Sequence, residues 1–458
     1  MSLPNTLYLP ELREMLAENN AAELREFCTA LHPARTADFM EGLTPEEAWR
    51  VLQFAEMPVR VEIFGYFHRD KQLDIIRLAD RQEIAEFIAH LPPDDRVDIL
   101  NELEQELVAE LLPLLPAAER RDILRLRAYP ENTAGAIMTT EFARLPEELT
   151  VREALDELAR QAAELETIYY IYIVDSQDHL EGLVSARQLL SAMGRPDTVL
   201  RDLMEREIVT VNVTDDREEV ARKVARYDLL AIPVVDQERH MLGIITHDDV
   251  IDVVVEEATE DAYHMGGMAP LVESYLDTAF VTVWRKRAGW LAMLFVAELF
   301  TFTALASFED AIKQIVALSL FVPLCISTGG NSGSQAATLI TRAIALGQIT
   351  VRDWYRVLAH EILMGLALGA TLGCIGFVRA ALTPQGILGP VSHWELAWVI
   401  AQAVALICLW GTITGSMLPL IFKRLGIDPG FASSPFVATL VDVTGIIIYF
   451  TIAKTYLL

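Results

Sequence analysis

The feature that most constrains this chain is a series of five apolar stretches in its last two-fifths. A membrane-spanning helix needs about 20 predominantly apolar residues. The stretches that satisfy this length run over Ala288–Ser307, Ile315–Ile340, Val357–Val378, Leu396–Phe422 and Phe436–Leu457. The pattern therefore predicts an all-α transmembrane domain with five helices over residues 280–458.

Charge is divided unevenly between the two parts of the chain. From Phe280 onward there are 8 acidic and 11 basic residues, which leaves 57 acidic and 26 basic residues before that point. Such an excess of negative charge repels nucleic acid and attracts cations, although many acidic domains carry their charge for solubility alone. We therefore expect a soluble front part that does not bind nucleic acid.

The basic residues between the apolar stretches predict the orientation in the membrane. They concentrate in alternate loops, at Arg285, Lys286, Arg287, Arg342, Arg352, Arg356, Lys423 and Arg424. The opposite loops hold only Lys313 and Arg379. Because loops rich in Lys and Arg stay on the cytoplasmic side, we expect a multi-pass protein of the cell membrane. Its N-terminal domains would be cytosolic and its C-terminus would lie outside.

Motifs of enzymes are missing from the sequence. His360 and Glu361 are not followed by the second His of a zinc-protease helix, the segment after Gly330 lacks the second Gly of a nucleophile elbow, and no Walker A sequence occurs. The scattered cysteines argue against a disulfide framework and a zinc site; they are Cys28, Cys325, Cys374 and Cys408. The N-terminus also lacks the pattern of a cleaved signal peptide. We therefore expect that the protein is not an enzyme.

The second apolar stretch carries small and polar residues at membrane depth, between Phe321 and Gln335. Pro323 removes a backbone hydrogen bond and is expected to kink the helix. Irregular polar backbone survives in a membrane where it is buried in protein or lines a watery cavity, whereas small residues also suit tight helix packing. Because packing alone does not require Asn331 and Gln335, we predict that this segment lines a pore.

The fifth apolar stretch contains a carboxylate, Asp442, between Thr439 and Thr444. A charged side chain at the centre of a span costs about 2.5–3.5 kcal/mol even on the mildest scale, so Asp442 is a functional candidate. The alternative is a structural Asp bonded to hydroxyls of another helix. Glu298 and Glu361 also fall within spans, either as structural partners or as proton-linked groups.

The first 130 residues have the pattern of an all-α domain. Apolar residues recur at spacings of three and four, as in Val97–Leu103 and Arg121–Leu126. Acidic turns led by Pro, such as Thr44–Glu47 and Pro92–Asp95, are typical of helix starts. The unit recurs at irregular intervals, which indicates a short helical repeat.

An internal repeat follows. The segments Ile171–Asp175 and Gly182–Ser185 return 61 residues later as Ile232–Asp236 and Gly243–Thr246. Each copy begins with a segment led by Met138 or Met204, followed by a helix, a buried strand, a polar hairpin, a second strand and a further helix. This β-α-β-β-α repeat resembles a tandem pair of CBS domains, which have an α/β fold.

The resemblance to CBS domains implies a possible nucleotide site. CBS pairs often bind adenosine nucleotides through a Ser or Thr and an Asp three residues later. Thr246 and Asp249 fit this spacing, whereas Ser185 is followed by Gln188 at that place. ATP binding at Ser185, Thr246 and Asp249 is therefore an expectation from the resemblance.

Over essentially its whole length the chain resembles the MgtE family of magnesium channels. The order of parts would be a helical N domain (1–132), CBS domains (133–200 and 201–255), an acidic connecting or plug helix (256–279) and the transmembrane pore domain (280–458). The most specific matches are Gly329–Gln335, Glu257–Asp261 and Asp442–Gly445.

The family resemblance implies a homodimer in a lipid bilayer that imports Mg²⁺ into the cytosol through a pore on its two-fold axis. Asp442 of both subunits would bind hydrated Mg²⁺, which agrees with the reluctance of this ion to lose its waters. The residues expected to line the pore are Pro323, Asn331, Gln335 and Thr439.

The resemblance also implies a cytosolic Mg²⁺ sensor that closes the pore when Mg²⁺ is abundant. Its ligands would come from the N domain, the second CBS domain, the plug helix and the loop before the last span. They are Glu62, Asp94, Asp98, the backbone carbonyl of Ala225, Asp228, Asp249, Asp252, Glu257, Glu260, Asp261 and Asp428, with Asp95 as a substitute for Asp94. Mg²⁺ would neutralise these acids and shift the population toward the closed state.

Two other functions stay open. One is a channel or transporter for Co²⁺, Mn²⁺ or Zn²⁺ regulated by the CBS domains, although oxygen ligands without Cys or His near Asp442 favour hard cations. The other is a membrane sensor that does not conduct and passes the state of an ion or a nucleotide to a partner.

Overall fold

The computed structural model describes residues 8–162, 165–271, 275, 276, 278–388 and 391–458. The chain divides into two compact units, with the division after Val255. The first unit contains the helical domain and two small sheets, and the second contains the long apolar helices.

The first unit begins with ten short helices, which confirms the predicted all-α domain. They are α1 (Leu9–Glu18), α2 (Ala21–Ala30), α3 (Pro33–Met40), α4 (Pro45–Leu52), α5 (Met57–Gly65), α6 (Arg69–Leu78), α7 (Arg81–Ile88), α8 (Pro93–Glu102), α9 (Gln105–Leu111) and α10 (Ala117–Leu126). The Pro-led starts behave as predicted. At α4 the Thr44 hydroxyl accepts a hydrogen bond from the Glu47 N–H, and the Glu47 carboxylate accepts one from the Thr44 N–H, which closes a capping box.

Two arginines show that the helical domain contains a structural repeat. Arg60 donates to the carbonyls of Leu52, Gln53 and Ala55, which end α4. Arg96, which is almost fully buried, donates to the carbonyls of Ile88, Ala89 and Leu91, which end α7. In both cases the three acceptor carbonyls lie the same numbers of residues before the arginine. The cap at the end of the helix is therefore part of the repeated structure.

The rest of the first unit forms two three-stranded sheets with their helices. In chain order the elements are β1 (Phe142–Pro146), α11 (Val151–Gln161), β2 (Thr167–Val174), β3 (Leu180–Ser185), α12 (Ala186–Ser191), α13 (Leu200–Leu203), β4 (Val211–Asn212), α14 (Arg217–Tyr227), β5 (Ala231–Val235), β6 (Met241–Thr246) and α15 (His247–Met265). The last of these helices continues into the second unit.

The internal repeat predicted from the sequence extends to the register of the sheets. Their strand orders are β1-β2-β3 and β4-β5-β6, with a parallel first pair and an antiparallel second pair in each. Ile171 pairs with Val184, and Ile232 pairs with Ile245. Both partners therefore shift by the repeat length, which confirms two copies of one α/β unit.

The second unit is a bundle of long helices. Its elements are α16 (Phe280–Ala306), α17 (Glu309–Gln314), α18 (Ala317–Ala345), α19 (Trp354–Ala381), α20 (Gln385–Leu388), α21 (His393–Arg424) and α22 (Ser434–Leu457), with 3₁₀ turns at Val351–Asp353 and Pro429–Phe431. Four segments of the described chain are long and apolar enough to cross a membrane, namely Phe280–Ala306, Val351–Ala381, His393–Arg424 and Ser434–Leu457. Helix α18 is not among these four, so the fifth span stays a prediction.

Helix α18 runs as one α-helix through Pro323 and through the stretch Gly329–Gln335, which the sequence suggested would be irregular. Its backbone lies against that of α21: a Cβ on Gly415 would lie only 2.0 Å from the carbonyl oxygen of Gly333. The glycines thus serve helix packing, the alternative that we considered above, while Asn331 and Gln335 lie on an exposed face of the helix.

Candidate cation sites

Asp442 lies on α22 opposite the glycine face of α18. Its side chain is half-buried, and a Cβ on Gly330 would lie 3.4 Å from Asp442 Oδ1 and 3.3 Å from the Cβ of Ala438. The two segments that the sequence singled out separately are therefore in contact. The absence of a side chain at position 330 leaves space beside the carboxylate.

The surroundings of Asp442 differ from those of a structural Asp. Within the part of the chain that the structure describes, no hydroxyl donates to its carboxylate. Thr444 instead bonds the carbonyl of Leu440 and accepts a hydrogen bond from the indole of Trp410 on α21, at 2.8 Å. Thr439 donates to the carbonyl of Pro435. The carboxylate thus keeps its lone pairs for another donor or for a cation.

The other candidates for the pore lie on the same two helices. Pro323, Asn331 and Gln335 of α18 are exposed in the single chain, and the Asn331 amide donates to the Ser327 hydroxyl at 3.3 Å. Thr439 is half-buried and borders a cavity of about 260 Å³ between α16 and α22. The cavity is lined by Met293, Leu294, Ala297, Phe300, Phe436, Thr439, Leu440, Val443 and Thr444.

The two remaining intramembrane acids have different surroundings. Glu298 on α16 is close enough to Asp442 for their charges to interact. Glu361 on α19 is buried, and its backbone carbonyl lies 3.5 Å from the Thr412 hydroxyl of α21. Glu298 is therefore a neighbour of the candidate pore carboxylate.

A group of acids in the first unit combines the start of α8 with the start of α15. Asp94 Oδ1 is inaccessible to solvent and has no hydrogen-bond partner among the described residues. Desolvation, and then the negative charge of Asp249, raise the pKa of Asp94 well above its usual range. Asp249 accepts a hydrogen bond from the Thr246 hydroxyl at 2.5 Å, and desolvation raises its pKa to about 6. The two carboxylates are therefore close enough for their negative charges to interact.

Glu166 belongs to the same acidic group, although it was not among the residues predicted from the sequence. Desolvation, and then the charges of Asp249 and Asp248, raise the pKa of Glu166 to about 7. It stands just before β2, where its N–H donates to the Glu141 carbonyl. Since no local motif marks it, only the fold could reveal its place beside α15.

Four other predicted ligands of the first unit lie at the surface of the chain. Glu62, Asp98, Asp228 and Asp252 are exposed. Asp228 ends α14 in the left-handed conformation, with a φ of 51°. The Leu229 N–H donates to the carbonyl of Val224, so it does not take the carbonyl of Ala225 that we predicted as a ligand. Asp252 interacts electrostatically with Asp95, which extends the acidic group along α15.

A second acidic group lies at the end of α15. It contains a histidine that was not predicted as a ligand. The buried His264 places Nδ1 2.7 Å from Asp428 Oδ2 and Nε2 3.8 Å from Glu260 Oε1. Its ring stacks on Phe431. Desolvation, and then the Asp428 charge, raise the pKa of Asp261. The structure thus brings together three predicted ligands, Glu260, Asp261 and Asp428, within the second unit; Glu257 is half-buried on the same helix.

The candidates for nucleotide binding occupy two equivalent positions of the repeat. The Ser185 hydroxyl donates to Gln188, and the Thr246 hydroxyl donates to Asp249 in the same place of the second copy. Ser185 also lines a cavity of about 760 Å³, whose other lining residues are Tyr169, Tyr170, Ala186, Arg187, Leu190, Ser191 and Leu230. Aromatic rings, hydroxyls and a guanidinium are groups that can contact a base, a ribose and a phosphate.

A helical domain, a pair of CBS domains and membrane-length helices with carboxylates at their interfaces define a membrane transport protein of the CBS-containing class. Comparison with known proteins agrees with each part. Residues 31–132 match the MgtE intracellular N domain, residues 134–195 and 200–256 match the CBS domain, and residues 322–452 match the MgtE divalent cation transporter family.

Relatives that match 72% of the chain identify the family. The chain is 40% identical over 336 residues to the magnesium transporter MgtE of Thermus thermophilus, which covers 72% of each chain. It is 36% identical over 330 residues to MgtE of Enterococcus faecalis, covering 72% of this chain and 70% of that one. The chain belongs to the MgtE family, as the sequence resemblance indicated. These relatives are named as transporters, which agrees with the prediction that the protein is not an enzyme.

Solved structures match the first unit. One is described as the soluble part of a magnesium transporter; it is 36% identical, with a TM-score of 0.51, and the match covers 54% of this chain and 97% of that chain. Another is the cytosolic domain of the Mg²⁺ channel MgtE in complex with ATP, at 34% identity and a TM-score of 0.49, covering 53% of this chain and 98% of that chain.

Proposed function

We propose that this protein is a Mg²⁺-selective channel or transporter that imports Mg²⁺ into the cytosol across the cell membrane, with Asp442 as the cation-binding residue of its pore. The observation that carries the proposal is the Asp442 carboxylate, which faces the side-chain-free surface of α18 at Gly330. Relatives that share 40% and 36% of their aligned residues with this chain are named magnesium transporters.

The chemistry of Mg²⁺ supports this role for Asp442. The ion usually keeps several waters and is held by one or two carboxylates. A carboxylate without a hydroxyl partner can accept hydrogen bonds from those waters. In a homodimer with its pore on the two-fold axis, the Asp442 of the partner subunit would supply the second carboxylate. Pro323, Asn331, Gln335 and Thr439 would line the same passage.

The topology is part of the proposal. All five apolar helices, including α18, would cross the bilayer, with the N-terminal domains in the cytosol and the C-terminus outside. The basic residues support this orientation, because Arg342, Arg352 and Arg356 would fall on the same side as Arg285 when all five helices cross. The domain boundaries predicted from the sequence are also part of this proposal.

The two acidic groups would form the Mg²⁺ sensor that closes the pore. In the first unit, Asp94 and Asp249 approach each other at the cost of desolvation and repulsion, which a divalent cation would relieve. In the second unit, Asp261 and Asp428 do the same at the end of α15. If Mg²⁺ binds the compact arrangement more tightly than an open one, it shifts the population toward the compact, closed state.

ATP would be a further ligand of the first unit. The support comes from the cavity beside Ser185, where Tyr169 and Tyr170 offer rings and Arg187 offers a guanidinium. We propose this cavity as the nucleotide site because it is lined by Ser185, whereas Thr246 is not among its lining residues.

Mg²⁺ uptake into liposomes tests the pore. Wild type is compared with Asp442→Asn, which keeps the size of the side chain and removes its charge, and with Asp310→Asn on the exposed helix α17 as a matched control. The proposal requires uptake to fall strongly in the first variant only. Normal Mg²⁺ uptake by Asp442→Asn would remove this residue from the pore. Competition by Co²⁺, Mn²⁺ and Zn²⁺ in the same assay separates the alternative substrates, and a complete lack of flux in wild type would favour a non-conducting sensor.

A further inference from the structure

The hairpins of the two CBS copies carry the same pair of side chains. Asp175 and His179 lie between β2 and β3, and Asp236 and His240 lie between β5 and β6. In each hairpin the Asp Oδ1 accepts the backbone N–H of the His at 2.9 Å, and the Asp Oδ2 lies 2.9 or 2.8 Å from the imidazole Nδ1. Both imidazoles are thereby held in a fixed orientation.

The two hairpins meet through their histidines. The rings of His179 and His240 stack with centroids 4.4 Å apart and an angle of 23° between their planes. A backbone bridge joins the same two residues. The stacked ring of His179 limits the freedom of the His240 imidazole from one side.

The hairpins differ at one position that matters for cation binding. The second hairpin has Glu238 where the first has Gln177. Ligand atoms of Asp236, Glu238 and His240 all lie within 4.8 Å of one another, and His240 Nδ1 is 3.8 Å from Glu238 Oε2. Of the two hairpins, only the second brings an imidazole and two carboxylates within this distance among the described residues, since Asp178 of the first hairpin pairs with Arg144.

We propose that Asp236, Glu238 and His240 form a binding site for a divalent transition cation of the Zn²⁺, Co²⁺ and Ni²⁺ class. An imidazole nitrogen suits these ions, whereas Mg²⁺ prefers an all-oxygen environment. The site thus differs chemically from the all-carboxylate group at α8 and the start of α15 and from the carboxylate of α22. It does not depend on the function proposed above.

The geometry selects this three-ligand site over one shared by both histidines. The lone pair of an imidazole nitrogen lies in the plane of its ring. Because the rings of His179 and His240 are nearly parallel and stacked, one ion in the plane of one ring lies well out of the plane of the other. His179 is therefore a positioning residue, and His240 Nδ1 is the nitrogen ligand.

The separations of the ligand atoms fit a small cation. Bonds of about 2.0–2.2 Å to nitrogen and oxygen place neighbouring ligand atoms about 3–3.5 Å apart. The distances from His240 Nδ1 are 2.8 Å to Asp236 and 3.8 Å to Glu238. The Glu238 side chain is 79% exposed, so a small rotation can bring it closer. Water would complete the coordination.

Neighbouring charges leave the ligand atoms accessible. Arg239 points its guanidinium to the Leu180 carbonyl, and Arg144 pairs with Asp178.

The experiment is a titration of the purified full-length chain in detergent with Zn²⁺, in a large excess of Mg²⁺ that occupies all-oxygen sites. Calorimetry should give one Zn²⁺ site per chain in wild type. Glu238→Gln, which copies the first hairpin, should weaken it about tenfold or more, as loss of a ligand or its support commonly does. His240→Ala should abolish it, and His90→Ala, at an exposed histidine of the helical domain, should leave it unchanged.

Two further measurements make the test decisive. Gln177→Glu gives the first hairpin the missing carboxylate and should create a second Zn²⁺ site, whereas no second site would contradict the assigned set of ligands. Circular dichroism of each variant checks that the chain is folded. Wild type without Zn²⁺ binding in excess Mg²⁺, or Glu238→Gln with wild-type affinity, would overturn the proposal.

Discussion

Gly330 of α18 and Asp442 of α22 are neighbours across a helix interface, and a Cβ on Gly330 would lie 3.4 Å from Asp442 Oδ1. Every substitution at Gly330 therefore fills space next to the carboxylate that we propose as the cation site. Gly330→Ala should lower Mg²⁺ uptake in liposomes several-fold, and Gly330→Val should lower it further. Gly289→Ala on α16 is the matched control, because a Cβ there meets no atom within 4 Å. Equal uptake by Gly330→Val and wild type would place the ion path elsewhere.

The packing of α18 on α21 gives a prediction about stability. A Cβ on Gly415 would lie 2.0 Å from the Gly333 carbonyl oxygen, a backbone atom that cannot move away alone. Gly415→Ala should therefore force the helices apart and cost about 1–3 kcal/mol, as overpacking usually does. Thermal unfolding in detergent measures the loss, again with Gly289→Ala as the control. An unchanged unfolding temperature would mean that the two helices do not touch there.

The recurring arginine caps predict a large effect in the helical domain. Arg96→Met keeps the apolar stem but leaves the carbonyls at the end of α7 without their donor, at a cost of about 2–3 kcal/mol. Arg121→Met, on an exposed residue of α10, should cost less than about 0.5 kcal/mol. Hydrogen exchange of amides in α7 and α8 of the full-length chain reports both values. Similar protection in the two variants would refute the role of the cap.

The acidic groups predict how closure by Mg²⁺ can be removed. Asp249→Asn together with Asp261→Asn removes one negative charge from each group. Binding of Mg²⁺ then stabilises the compact state less. The double variant should keep conducting at cytosolic Mg²⁺ levels that close wild type, as measured by uptake into liposomes. Asp197→Asn, at a highly exposed residue, is the control. Closure of the double variant at the wild-type Mg²⁺ level would show that these acids are not the sensor.

Removal of divalent cations should reveal a pH dependence of stability. The pKa of Glu166 is raised to about 7, so the folded chain binds a proton there more tightly than the unfolded chain does. Its contribution is fully present below about pH 4.5 and is lost as the pH rises through 7. In EDTA, the first unit should thus become more stable as the pH falls from 7 toward 5. Glu166→Gln should flatten that change in thermal unfolding, and an equally steep change in the variant would contradict the assignment.

The sequence predicts regular elements well where the physical signal is local. The spacing of 61 residues between Ile171 and Ile232 appears again in the strand register, because hydrophobic alternation and hairpin length determine pairing. The Pro-led acidic starts of α4 and α8 are likewise local signals. Asp442 was identifiable because a carboxylate is rare in an apolar stretch.

Features that depend on distant parts of the chain escaped sequence reasoning. Helix α18 packs closely on α21 at Gly333, and although the small residues are compatible with tight packing, nothing in the local sequence identifies α21 as the partner. Glu166 and His264 join acidic groups formed by residues far away in sequence, so no motif marks them. The ligands Glu62 and Asp98, taken from a family resemblance, stay predictions, since the structure shows them exposed on their helices.

The contact between His264 and Asp428 has a mechanical consequence. Asp428 stands six residues before Ser434, where α22 begins, and the 3₁₀ turn Pro429–Phe431 fills most of that interval. Phe431 in this turn also stacks on His264. The last turn of α15 is therefore fastened to the beginning of the helix that carries Asp442 by a hydrogen bond and a ring contact. A displacement of that end of α15 would therefore move the beginning of α22 directly, because only a few residues separate Asp428 from Ser434.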